Sequence, residues 1–167
     1  GRVIDYDSGA IFLQEGHDLV LTAGAGIDDA YLGYRVSLAS TLPEAQVFEE
    51  KRSYVIKDVR SDPNWQEWTA SDPVRGWMGV PLLIGDEAIG ILTTDSFGSG
   101  TYSDKDARIL QTFATQVATA IHNARLYQQI QQQNQELADT LQELKTTQQE
   151  LIQQEILRQT NQQLTQL

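Results

Sequence analysis

The 167-residue chain contains no cysteine. That excludes a disulfide, a thiolate metal site and a thioether-linked cofactor. Basic residues are scarce: twelve Lys and Arg stand against twenty-three Asp and Glu, for a formal net charge of −11. Such a balance disfavours nucleic acid, where a basic face must replace phosphate counterions. It equally disfavours an anionic membrane surface. Histidine occurs only as His17 and His122, too far apart in sequence to suggest a metal pair and at no ligand spacing. Neither is followed by a Ser or Cys nucleophile motif, so no set of catalytic roles can be filled. No apolar run of about 18 residues occurs, so nothing reads as a membrane span. The start does not read as a signal peptide. A chain that begins with Gly1 reads as a piece of something longer, and a cytoplasmic location is the expectation. The length fits one domain plus an appendage.

What is present is organised around Gly76 to Ser96. Two apolar runs, Met78 to Ile84 and Ala88 to Thr94, flank Gly85-Asp86-Glu87, a hairpin signal. Near the turn both runs are apolar at successive positions, which suits a strand pair covered on both faces of its sheet. Pro81 lacks a ladder donor, so its nitrogen must face an edge, a bulge or a gap in pairing.

Upstream, Ser8 to Gln14 and Leu19 to Ala23 read as strands joined by a turn at Glu15 to Asp18. Gly24-Ala25-Gly26 is not a dinucleotide fingerprint, because Asp29 stands where the third glycine belongs and Asp28-Asp29 would repel a pyrophosphate. It reads as a strand exit into a short helix at Asp28 to Leu32. Arg35 to Leu38 and Ser53 to Ile56 read as short strands. Leu42 to Glu50 reads as a helix capped by Thr41, with Pro43 early and Ala45, Val47 and Phe48 buried. Asp58 to Pro73 lacks periodicity and reads as loop. Ser103 opens a long helix, with Asp104 and Asp106 at its positive end. Ile109, Leu110, Phe113, Ala114, Val117, Ala118 and Ile121 form a stripe fit to pack on a sheet. No proline or glycine interrupts the chain from Ser103 to Leu167.

Composition shifts at about Gln128, where glutamine begins to dominate. Gln-rich sequence is compatible with disorder. Yet Ile130, Asn134, Leu137, Leu141, Leu144, Gln148 and Leu151 alternate steps of four and three, a heptad seam with two polar layers. So narrow a seam needs a partner, and the coiled coil is the preferred reading. Asn134 in a core layer would fix register and favour two strands. The seam breaks at Glu155 and Arg158, and Leu157, Asn161 and Leu164 restart it in another phase.

Together these residues resemble a GAF domain, the small-molecule sensor module of signalling proteins. The likeness covers Val3 to Tyr127. It is carried by Gly79-Val80-Pro81-Leu82, Ile89-Gly90-Ile91-Leu92, Asp95, the helix start Tyr102-Ser103-Asp104, and Ala120 to Tyr127. Thr146 to Glu155 looks like the helical linker that precedes a histidine kinase dimerisation domain in bacterial, often cyanobacterial, sensor proteins; the phosphoacceptor His motif is absent. The resemblance implies an α+β fold. A central antiparallel sheet of five or six strands would carry helices on one face and a ligand pocket on the other, in a sensor domain over residues 1–127. A coiled-coil signalling linker would follow over 128–167 and join two copies through Ile130, Asn134, Leu137, Leu141, Leu144 and Leu151. The family's first long helix would lie before Gly1. It also implies a non-catalytic fragment of a two-component sensor, homodimeric, with a small molecule as its other partner. Covalent bilin is excluded because family members attach it through cysteine, and the cofactor is otherwise unknown. The GAF-like methionine sulfoxide reductases need catalytic cysteines, which are lacking here. The cyclic-nucleotide set of Asn, Lys, Phe, Asp and Glu has no counterpart that can be placed.

The candidate pocket residues follow from this picture. Trp65, Trp68 and Trp77 lie in or beside the irregular segment, where an indole can form a ligand lid or plug the pocket outright; the residue types suit both. Asp58 and Arg75 are the polar groups expected to orient a ligand. Tyr54, Ile56, Met78, Val80, Leu92 and Thr94 are expected to wall it. The competing reading is a structural dimerisation module whose pocket is filled.

Overall fold

The computed structural model describes residues 4–67 and 73–165. Six strands form one antiparallel sheet: β1 (Ser8–Glu15), β2 (Asp18–Ala25), β3 (Arg35–Ser37), β4 (Tyr54–Ile56), β5 (Gly76–Ile84) and β6 (Glu87–Ser96), in the order β3-β2-β1-β6-β5-β4. Two helices accompany it, α1 (Pro43–Glu50) and α2 (Asp104–Thr165). This is the GAF-like α+β architecture expected. The chain divides into two compact units, Gly1–His122 and Asn123–Leu167, the second carrying only helix among its described residues.

The β5–β6 hairpin lies inside the sheet, with β1 on the far side of β6 and β4 on the far side of β5. Gly85 sits at φ 59° in its turn, a left-handed conformation that glycine adopts without penalty. Gly90 is demanded by neighbours: a Cβ there would collide with the Phe12 carbonyl oxygen on β1. Pro81 pairs with Ile91 of β6, while β4 reaches only Trp77 to Gly79. Its carbonyl accepts a bond from Gln111 Nε2 at 3.0 Å. A strand residue aims its nitrogen and its carbonyl to the same side. The missing donor of Pro81 therefore points past the end of β4, where no ladder bond is lost.

Two apolar clusters divide the sheet by face. One holds Phe12, Leu19, Leu21, Val36, Val47, Phe48, Ile56, Trp77 and Ile91. The other holds Met78, Val80, Leu82, Tyr102, Ala107, Leu110, Ala114 and Ala118. The alternation is strict along β5: Trp77 goes one way, and Met78, Val80 and Leu82 the other.

Helix α2 meets its sheet face through Ala107, Leu110, Ala114 and Ala118. Leu110, Ala114 and Ala118 of the expected stripe are buried there and Val117 and Ile121 pack against them, while Phe113 is corrected. Phe113 is 54% exposed, and Ile109 and Val117 are half-buried at the flank. Small alanines let the helix backbone approach the sheet closely, and the bulkier residues are displaced to its sides. At the helix start the Asp106 carboxylate accepts from the Ser103 N–H at 2.9 Å and from its hydroxyl at 2.6 Å. Helix α1 also differs in detail: its N-cap is Leu42, without a side-chain cap bond, rather than Thr41. The expected helix after β2 is a single 3-10 turn at Asp29–Tyr31, capped by the Asp28 carboxylate.

Candidate functional site

On the sheet face opposite α2 lies a cavity of about 190 Å³. Its floor is built from alternate residues of three strands: Ser8, Ala10 and Phe12 of β1, Trp77 of β5, and Thr93 and Asp95 of β6. Gly26, Ile27, Asp28 and Tyr31 close one side after β2, and Glu44 enters from α1. Trp65, Pro73, Val74 and Phe97 complete the wall.

Each wall has a local cause. The Trp77 indole lies over Gly79, in space that a Cβ would otherwise occupy. Trp65 meets Trp77 edge-on, with ring centroids 6.2 Å apart and planes at 65°. The turn before Trp65 is set by Asp62, whose carboxylate accepts from the Tyr54 hydroxyl at 2.8 Å and from the Asn64 N–H at 2.8 Å. The irregular segment is closed at its base by Asp58 and Arg75. Nη2 and Nε of Arg75 donate to the two carboxylate oxygens at 2.7 and 3.2 Å, and Val59 N–H donates to the Arg75 carbonyl at 2.8 Å. The Arg75 guanidinium holds the Asp58 carboxyl below its usual range.

The electrostatics centre on Glu44. It stands in the first turn of α1 and is only 4% exposed. A helix N-terminus favours a carboxylate, and its own backbone N–H lowers its pKa further. Burial outweighs both: desolvation, with a smaller push from the Asp95 charge, raises the Glu44 carboxyl to about 7. Asp95 is fixed by the Ser8 hydroxyl, which donates to its Oδ2 at 2.7 Å. The Trp65 indole N–H is buried and has no acceptor among the described residues.

Of the expected pocket residues, Trp65 and Trp77 line this cavity. Trp68 lies outside the described residues. Tyr54 and Ile56 are on the same face but behind it, Ile56 in the core and Tyr54 edge-on to Trp77 at 6.5 Å. Asp58 and Arg75 are not in the lining; each satisfies the other as the clasp of the irregular segment. Met78, Val80, Leu92 and Thr94 are corrected outright, because they occupy the opposite parity. Met78 and Val80 are in the cluster under α2, and Leu92 packs against it. Leu92 and Thr94 line a second cavity on that side, of about 430 Å³, with Ile4, Tyr6, Ile11, Leu110 and Phe113. No charged side chain lines this larger space. It suits an apolar packing surface better than a polar ligand.

Glu44 and Asp95 were not among the expected ligand residues. A signal for Glu44 is present in the sequence: it precedes the buried Val47 and Phe48 by three and four positions, on one helix face. Asp95 shares its parity with Thr93 and Ile91. No group of three or more His, Asp or Glu able to hold a metal occurs among the described residues. Among them, too, no helix is long and apolar enough to cross a membrane.

Residues 2–122 match the GAF domain family. The chain belongs to that family. Among similar GAF-fold structures, the GAF domain of a phosphoenolpyruvate-protein phosphotransferase (ptsP) from Coxiella burnetii superposes with a TM-score of 0.66 at 21% identity, covering 72% of this chain and 74% of that one. The type II free methionine-R-sulfoxide reductase of Thermoplasma acidophilum superposes at 0.62 with 23% identity, covering 71% and 80%. At these identities the likeness is one of fold. In sequence the GAF chain is 29% identical over 141 residues to the anaerobic nitric oxide reductase transcription regulator NorR of Enterobacter sp. (strain 638), covering 80% of this chain. The NorR of Citrobacter koseri is 28% identical over the same length. The chain spans about a quarter of the length of these curated relatives, 27% in each case.

Proposed function

We propose that this GAF domain is a sensory module that takes a small molecule into the cavity beside Trp65, Trp77 and Glu44 and passes the event on through α2. The observation that carries the reading is the arrangement of β6. Its Thr93 and Asp95 floor the cavity, while the adjacent Leu92 packs on the side of α2. A shift of this strand on ligand binding changes both faces at once. The fold family and the regulatory relatives support a signalling role over a catalytic one. Methionine sulfoxide reductases share the fold, but the chain has no cysteine to supply such chemistry.

The second unit, Asn123–Leu167, is the transmitter in this reading. Two copies pair in parallel through Ile130, Asn134, Leu137, Leu141, Leu144 and Leu151, whose apolar members are exposed in the single chain. Polar layers at Asn134 and Gln148 and the break at Glu155 keep two registers close in energy, as a switch requires. The output is a histidine kinase of a cytoplasmic bacterial two-component sensor, with a cyanobacterial source in keeping with the Gln-rich linker. Single cysteines placed along Gln133 to Gln153 and cross-linked with and without the cavity's ligand test the transmission step. A ligand-dependent cross-link pattern supports it; identical patterns, with the dimer intact, support a structural dimerisation module instead.

A further inference from the structure

We propose that the cavity beside Glu44 is a site for a small organic cation, with one protonated nitrogen directed at the Glu44 carboxylate and one acceptor atom directed at the Trp65 indole N–H. This rests on the sensory reading above and gives that site its ligand class. Three observations converge on it.

The first is charge. The cavity lining contains the carboxylates Asp28, Glu44 and Asp95 and no Lys, Arg or His. Residues 68–72, outside the described structure, include no basic residue in sequence either. Arg35, the one basic side chain on the strands that α1 packs against, is already engaged by Glu15 at 2.7 Å and Asp18 at 3.4 Å. An anion would enter a space with no counter-charge, so phosphates and dicarboxylates are excluded by like-charge repulsion.

The second is the state of Glu44. Its carboxyl is almost wholly buried, in a lining that holds no Lys, Arg or His among the described residues. A buried carboxylate without a cation beside it is costly. Asp95, Asp28 and Tyr31 face the same space, and Asp95 adds to the strain rather than relieving it. A bound ammonium or amidinium answers this need, and with Glu44 raised to about 7 its arrival expels the remaining proton.

The third is the orphaned Trp65 donor, buried at the cavity wall without an acceptor among the described residues. A ligand oxygen or ring nitrogen would satisfy it. The volume of about 190 Å³ falls below the usual range for drug-sized ligands. It limits the ligand to about ten non-hydrogen atoms, flat enough to lie against the Trp65 and Trp77 edges.

The test uses tyramine, which carries an ammonium, a flat ring and a phenol oxygen, and its uncharged counterpart 4-ethylphenol. Both are titrated calorimetrically into the full chain at pH about 8 and about 5.5. Tyramine is expected to bind at least about tenfold more tightly than 4-ethylphenol at the higher pH, and to lose about tenfold or more in affinity at the lower pH as Glu44 takes up its proton. Glu44→Gln is expected to remove both the preference and the pH dependence. Trp65→Phe, which keeps a ring and deletes the donor, is expected to weaken binding of both probes, since each carries the phenol oxygen, and to leave the preference for tyramine in place. Equal affinity for the two probes overturns the proposal. So does no tyramine binding up to about 10 mM, or wild-type behaviour in a folded Glu44→Gln variant. A neutral or anionic molecule retained in native mass spectra of protein from its own host overturns the cation class while leaving the sensory reading standing. A cation that binds without altering the cross-link pattern does the reverse.

Discussion

Gln111 of α2 donates a hydrogen bond from Nε2 to the carbonyl of Pro81 on β5 at 3.0 Å, thirty positions away in sequence. The pair ties the helix to the sheet at the point where the ladder on that side of β5 has ended. Gln111→Ala leaves this carbonyl without its partner. A loss of about 1 kcal/mol in unfolding free energy is expected, read as a lower urea midpoint at unchanged slope.

The raised Glu44 carboxyl makes stability depend on pH in an unusual direction. In the unfolded chain it titrates near 4.5, and in the folded domain it holds its proton to about 7. Its contribution is complete below the lower value and is lost as pH rises to the upper one. About 2.5 units at 1.36 kcal/mol each amount to roughly 3 kcal/mol. Thermal melts between pH 4.5 and 8 should show that decline in the wild type and a flatter profile in Glu44→Gln. The variant should be the more stable of the two near pH 8, and parallel profiles would contradict the assignment.

Two glycines in one hairpin should respond very differently to alanine. Gly90→Ala places a methyl group against the Phe12 carbonyl oxygen and drives β1 from β6. A destabilisation of about 3 kcal/mol or more is expected, by analogy with overpacking at its upper end. Gly85→Ala meets nothing within 4 Å but inherits a φ of 59°. It should cost only about 1 kcal/mol. Chemical denaturation of the two variants side by side measures the contrast.

Asn134→Ile tests the pairing of the second unit. A buried polar layer costs association energy while it fixes register. Sedimentation equilibrium of the substituted chain should show tighter self-association than the wild type, with species beyond the dimer admitted. Unchanged association would remove Asn134 from the seam.

The strands, the hairpin turn and the start of α2 were legible in the sequence because each is a local pattern: apolar runs about Gly85, strand residues before Glu15, a serine ahead of Asp104 and Asp106. The site was legible in part. Trp65 is a large apolar residue in a region without periodicity and Trp77 stands just beyond it, and both line the cavity. Met78, Val80, Leu92 and Thr94 were assigned to the wrong face because β5 and β6 are apolar on both, so composition gives no parity there. Once Trp77 is placed in the cavity, the period of two excludes Met78. Asp58 and Arg75 look like ligand groups in sequence, and only the fold brings them close enough to neutralise each other. Glu44 shares a helix face with Val47 and Phe48, but that signal is weak on its own. A carboxylate early in a helix is ordinarily a solvated one, and its burial depends on strands far from it in the chain.

The short reach of β4 has a consequence for how this protein behaves when crowded. A sheet edge with unpaired donors is a template for another strand and a route to fibres. Beyond Gly79 the exposed side of β5 offers an imino acid without a donor and a carbonyl already taken by Gln111. At the other end β3 contributes only three residues, with charged Arg35 among them. Neither border of the sheet offers a long row of free donors to a neighbouring strand.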